Sequence, residues 1–162
     1  MSTTVSTHPA APATATVEGP AAGRPVRHET VIGDVFQTLA AVHPVINGHG
    51  LEAGLRHLVH LRASQINACA FCIRMHVREA REHGESNERL ERLVVWRHVE
   101  DFSASEKAAL AWTEALTVLD QRTDYAVLRT SLRQHFSEEQ IGALTAEVAM
   151  INLWNRIQVS NH

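Results

Sequence analysis

The segment Asn67 to His76, NACAFCIRMH, holds both cysteines of the 162-residue chain, three positions apart, with a histidine four residues past the second. Three chemistries fit these residue types: a redox pair with a proton carrier beside it, part of a metal site, or two apolar core residues. A helix turns about 100° per residue. With Cys69 at zero, Cys72 falls about 60° and His76 about 20° away, so all three share one face. Cys72 and His76 are then neighbours, with Cβ atoms about 5–6 Å apart.

A helix N-terminus or a nearby imidazolium lowers a thiol pKa because either favours the thiolate. A drop from about 8.5 to about 6.5 raises the thiolate fraction near neutrality roughly tenfold, and the accompanying loss of nucleophilicity takes back nearly all of it. Acidification alone therefore gains little. The larger contribution of the histidine is to move protons, above all to the alkoxide that leaves when a thiolate attacks a peroxide O–O bond. A second cysteine can condense with the resulting sulfenic acid and protect it from over-oxidation.

Two readings compete with this one. Cysteine is among the most buried residue types, and a helical pair can simply be core. Alternatively, Cys69, Cys72 and His76 could hold zinc, with His57 or His60 as the fourth ligand. Against zinc, the chain has no second C-x2-C or H-x3-H half-site.

The elements that must position these residues are helical from His28 onward. Val31, Val35, Leu39 and Val42 recur at three- and four-residue steps and predict one helix stopped by Pro44. Leu55, Leu58, Val59 and Ile66 mark the inner face of a second helix, over 51–66. The third starts near Cys69, carries Ile73, Val77 and Ala80, and leaves through Gly84. Leu90, Leu93 and Val94 define a short fourth. SASE predicts a capping box of Ser103 with Glu106 for the fifth helix, Asp124 caps a sixth carrying Leu128 and Leu132, and SEEQ from Ser137 opens the last. Ile141, Leu144, Val148 and Ile151 form that helix's inner face. No stretch alternates with period two, so the expected class is all-α. A thioredoxin setting, which needs a strand before C-x-x-C, is excluded. Attachment of c-type haem is excluded as well, because Ile73, not histidine, follows Cys72.

A net charge of -3, with 20% charged and 44% hydrophobic residues, supplies no basic excess for nucleic acid. No segment is apolar for the ~18 residues a membrane span requires. Residues 1–26, rich in Ala, Thr and Pro, lack a signal-peptide pattern and read as a flexible tail before one domain over 27–162. The expected compartment is the cytoplasm, where a disulfide is more often catalytic than structural.

LRHLVHLRASQINACAFCIRMHVREAREHG, Leu55 to Gly84, resembles the core of the AhpD-like alkylhydroperoxidases of the carboxymuconolactone decarboxylase superfamily. WRHVEDFSASEKAALAWTEALT and INLWNRIQVS resemble downstream helices of the same family, and the likeness runs from about Val35 to Ser160. The resemblance implies an AhpD-like helical bundle, trimers or hexamers, and reduction of hydroperoxides at the expense of a thiol or lipoyl-bearing partner, with no bound flavin or haem. It implies that Cys72 attacks, Cys69 resolves and His76 supports proton transfer. The family's relay includes a glutamate twelve residues before the first cysteine; this chain has His57 there. Imidazole also exchanges protons near neutrality, so His57 is a candidate for the altered relay. Disulfide reductase activity on the same pair, or lactone decarboxylation, are the alternatives within this likeness. His60 reads as a surface residue, Glu106 as a cap, and Glu114 as a candidate for a polar interior. Trp96, Trp112 and Trp154 read as core or subunit interface, while Asn155 and Arg156 could tie the last helix to a neighbour.

Overall fold

The computed structural model describes residues 23–162. The tail expected over 1–26 lies outside them as far as residue 22. Val26 exchanges two hydrogen bonds of 3.0 Å with the Asn161 side chain. The elements in chain order are α1 (His28–Val31), α2 (Gly33–Ala40), α3 (Val42–Asn47), α4 (Ala53–Ile66), α5 (Ala70–Glu82) and α6 (Asn87–Arg92), a 3-10 turn (Leu93–His98), then α7 (Ala104–Val118), α8 (Tyr125–Leu132) and α9 (Glu138–Val159). Among the described residues there is no strand, and no helix is long and apolar enough to cross a membrane.

Helix α4 is the axis of the fold, packed against α5, α7 and α9. Its apolar residues serve two cores. Leu55 and Val59 join Trp112, Leu132, Leu144 and Val148 in one cluster; Leu58 and Leu61 join Ala80, Leu93, Trp96 and Leu110 in the other. A helix buried around most of its girth fits this central place.

The caps are those the sequence predicts. Ser103 accepts from the Glu106 amide while Glu106 accepts from that of Ser103, and Ser137 and Gln140 repeat the exchange. Asp124 Oδ1 receives two amides at the start of α8. Gly84, at φ +91, closes α5: its amide reaches Arg81 and that of Glu85 reaches Ala80. This is a paired C-terminal motif that needs a left-handed residue.

The N-terminal stretch departs from expectation. Instead of one helix there are three short ones, with the geometry lost at Ile32 (φ -131, ψ 44). Pro44 does not stop a helix. It is the third residue of α3, where a missing N–H costs nothing because first-turn amides have no helical acceptor. Val31, Val35, Val42 and Val45 are exposed.

The turn from α4 into α5 is held by α9. Asn67, which caps the end of α4, donates to Asn152 and Asn155, both at 2.9 Å, and Asn155 donates to Ser64 at 3.0 Å. Asn155 is fully buried. Arg156, by contrast, turns back to Asn152 within its own helix. Truncating Asn155 to alanine removes one hydrogen bond each from Ser64 and Asn67, which keep His60 and Asn152 as partners, so urea unfolding should show a loss of about 0.5–1.5 kcal/mol per bond.

Candidate active site

Ala68 separates α4 from Cys69 and sits at φ +53. Its amide reaches Gln65 and the amide of Cys69 reaches Ser64. This is the same closing motif as at Gly84, with alanine in the position glycine prefers. The left-handed conformation costs an L-residue about 1–2 kcal/mol, against about 0.4–1 kcal/mol of unfolded-state entropy that glycine adds. Ala68→Gly should therefore raise the midpoint of thermal unfolding slightly. A fall would mean that the alanine methyl group has a packing role larger than its strain.

Cys69 is the N-cap of α5, with extended backbone (φ -83, ψ 94), and its sulfur accepts from the Cys72 amide at 3.3 Å. A sulfur thus occupies the place usually held by a serine or aspartate oxygen. Cys69 and Cys72 are joined as a disulfide with Cα atoms 5.3 Å apart. Both are buried, at 0% and 1% exposure.

His76 lies one turn on and is also buried, at 5% exposure. Its Nδ1 is 2.9 Å from Glu79 Oε2, and its Nε2 has no hydrogen-bond partner. An ionised carboxylate only accepts, so Nδ1 carries the proton of the neutral ring and Nε2 presents a lone pair. Burial, helped by charge on His60 and His57 and opposed by Glu79, pushes the His76 pKa down to about 4.

That depression predicts a pH-dependent stability. Between the ordinary value of 6.5 and about 4, the unfolded chain binds a proton that the native ring refuses. Native stability is therefore full above the unfolded value and falls as pH drops through this window. The loss amounts to about 3 kcal/mol. Urea unfolding of the oxidised protein at pH 7 and pH 4 should show this loss, and His76→Gln should shrink it. An identical pH slope in the variant would assign the loss to other groups.

His76 opens onto a cavity of about 530 Å3, which His43, His57, His60, His83 and Arg56 also line. Met75, Ile151 and Trp154 supply its apolar wall. Trp154 is therefore a cavity residue, and its indole donates to His43 Nε2 at 2.8 Å. Trp96 and Trp112 are buried in the core as expected.

The structure joins Cys69 to Cys72 and sets His76 one turn further along the same helix. It places His57 in the same cavity, half-buried, with its ring 4.5 Å from that of His83 and a buried Nδ1 that has no partner. Burial foremost, then His83 and His60, lower the His57 pKa. The imidazole lying against that of His76 is that of His60, tilted by 49° with centroids 5.0 Å apart. His60 is therefore not a surface residue: its Nε2 is 2.8 Å from Oε2 of Glu147, a carboxylate only 1% exposed. Burial pushes the Glu147 carboxyl up, but His60, His43 and Arg56 outweigh it and hold it below the usual carboxylate value.

Sequence reasoning missed Glu147, Glu79 and His43. The signal for Glu147 was available: it lies within the apolar stripe Leu144, Val148, Ile151, where a charge must find a partner. Glu106 is a cap that also binds Arg89. Glu114 does reach a polar interior, where it ties Arg62, Trp96 and Arg97 together away from the cysteines. Among the described residues no group of three or more His, Cys, Asp or Glu side chains is set to hold a metal ion.

A helical bundle with a buried C-x-x-C at a helix start and a histidine one turn on defines the class. The chain belongs to the carboxymuconolactone decarboxylase family, whose sequence model matches residues 33–115, and it has the AhpD-like form of that fold. It is 39% identical over 105 residues to the uncharacterized protein YdfG of Bacillus subtilis, covering 65% of this chain and 71% of YdfG. With the uncharacterized protein YnjA of Escherichia coli it shares 34% identity over 103 residues, 64% of this chain and 56% of that protein. A crystal structure from Agrobacterium tumefaciens superposes with a TM-score of 0.79 at 35% identity, covering 85% of this chain and 94% of the other. That protein is of unknown function and has been put forward as the antioxidant defence protein AhpD.

Proposed function

We propose that this chain is a thiol-dependent peroxidase that reduces hydroperoxides and cycles through the Cys69–Cys72 disulfide. The observation that carries the reading is the bonded cysteine pair at the start of α5 with the unpartnered Nε2 of His76 one turn beyond. In this scheme the thiolate of Cys72 attacks the distal peroxide oxygen, the O–O bond breaks, and the alkoxide leaves with a proton to give alcohol and a sulfenic acid. The Cys69 thiol then displaces water from that sulfur to form the disulfide. Two electrons have passed from the thiols to the peroxide, and an external dithiol, small or lipoyl-bearing, returns them.

The depth of the sulfurs favours peroxide over a folded disulfide substrate. At 0% and 1% exposure, neither can meet a protein disulfide without displacing the start of α5. The pair also argues against lactone decarboxylation, which has no use for two thiols. On this reading the protein works in the reducing cytoplasm as a homo-oligomer, and the exposed valines of α1–α3 support such an assembly.

The test is a thiol count and intact-mass measurement on reduced protein before and after one equivalent of alkyl hydroperoxide, without added metal. Loss of both thiols and two mass units, with one equivalent of alcohol released, is the expected result. Unchanged thiols would overturn the reading.

A further inference from the structure

The carboxylate that the family likeness leads one to expect on α4 is replaced by His57, yet the site is not without a carboxylate. Glu147 enters from α9 and meets His60, whose ring lies against that of His76. We infer that His60 and Glu147 are positioning residues that store the proton His76 delivers to the leaving alkoxide. The inference rests on the peroxidase reading and names the source of one proton within it.

The argument is one of charge. Two neighbouring imidazoles in a buried space cannot both be cationic at small cost. Glu147, buried and hydrogen-bonded to His60 at one end of the pair, is the charge that favours one stored proton beside His76. His60, hydrogen-bonded at 2.8 Å to Glu147, is where that proton rests. His76, whose Nε2 is unpartnered and 5% exposed as a residue, is where it is used. With centroids 5.0 Å apart and no hydrogen bond between the rings, one water is enough to carry it across.

Charged neighbours face the pair from several helices. His76 faces His60 and His57 from α4 and Glu79 on α5; Glu147 faces His60 and Arg56 from α4 and His43 from α3. Glu79 holds Nδ1 of His76 and leaves Nε2 for the transfer. His43 already accepts the Trp154 indole at Nε2. Of these elements only α9 brings a carboxylate that is both buried and bound to a second imidazole. Its remaining oxygen, Oε1, has no hydrogen-bond partner, and His60, His43 and Arg56 together offset the carboxylate charge.

The test reads Cys72 oxidation by an alkyl hydroperoxide against pH, using the full reduced chain. The active form needs the thiolate and the stored proton together, so the profile is a bell whose falling limb reports that proton. Glu147→Gln should move this limb to lower pH by about 1–3 units, the effect of losing an opposite charge in contact. It should cut the rate at neutrality by at least about tenfold, and Glu147→Asp should restore much of it. His60→Gln should move the same limb, and combining it with Glu147→Gln should cost no more than the worse single change.

A falling limb that stays in place in a folded Glu147→Gln, or single losses that multiply in the double variant, would overturn the inference. If Glu147→Gln does not fold, His60→Gln carries the same pair of outcomes. A second readout needs no activity: ring nitrogen shifts should show the His60–His76 pair taking up its first proton at lower pH in Glu147→Gln than in the wild type. An unmoved titration there sinks the stored-proton idea. Inert wild-type thiols would instead sink the peroxidase reading.

Discussion

Cys72→Ser is expected to abolish hydroperoxide turnover, leaving only the rate of peroxide with free dithiol, because no other thiol in the chain stands one turn before an imidazole. Cys69→Ser should behave differently. Cys72 attacks once, releases one equivalent of alcohol, and then has no partner with which to condense. Intact mass should gain one oxygen, a sulfenic acid that dimedone traps, and excess peroxide should carry it to the sulfinic state. The asymmetry matters more than the loss. If Cys69→Ser is the dead variant and Cys72→Ser the one that accumulates the adduct, the attacking and resolving roles are reversed. If neither forms an adduct, the pair does not meet peroxide at all.

The geometry gives a reason to expect Cys72 as the attacker. Cys72 sits within the first turn of α5, one turn before His76, whereas the Cys69 sulfur caps the helix by accepting the Cys72 amide. A sulfur already engaged as a cap is well placed to stay still and wait for its partner. Its burial also keeps the sulfenic acid away from a second peroxide while the disulfide forms.

Much of this was legible in the chain. Capping boxes at Ser103 and Ser137, the exit at Gly84 and the start of α5 at Cys69 are signals within four residues, set by local hydrogen bonding. The shared face of Cys69, Cys72 and His76 follows from the helical period, even though Cys69 itself has extended backbone. The stretch over Val31–Val42 misled because its three-to-four-residue spacing persists when the chain breaks into short turns. Those valines face outward, so the core that would have given the spacing its meaning is not there. The His60–Glu147 contact was illegible for another reason. It joins residues 87 positions apart, and a histidine on a mixed helix face looks the same whether its partner is water or a buried carboxylate. Only the glutamate, set in an apolar stripe, gave a hint.

His76→Gln should lower the second-order rate with alkyl hydroperoxide by about 10²–10⁴-fold, the usual worth of a positioned acid–base group. Glutamine can keep a contact with Glu79 and occupy similar volume, so the loss isolates proton transfer. A stronger discriminator is the leaving group. A ring that hands its proton to the departing oxygen makes the wild-type rate nearly indifferent to the basicity of the alkoxide. Without it, the alkoxide must leave as the anion, and rates across a series of hydroperoxides should fall steeply as the product alcohol becomes less acidic. The depressed His76 pKa, about 4 in the oxidised site, keeps the ring neutral near neutrality, so the proton it hands over must reach it from a neighbour during the transfer. Lines of equal slope for the wild type and His76→Gln would remove His76 from the chemical step and leave it a packing residue of α5.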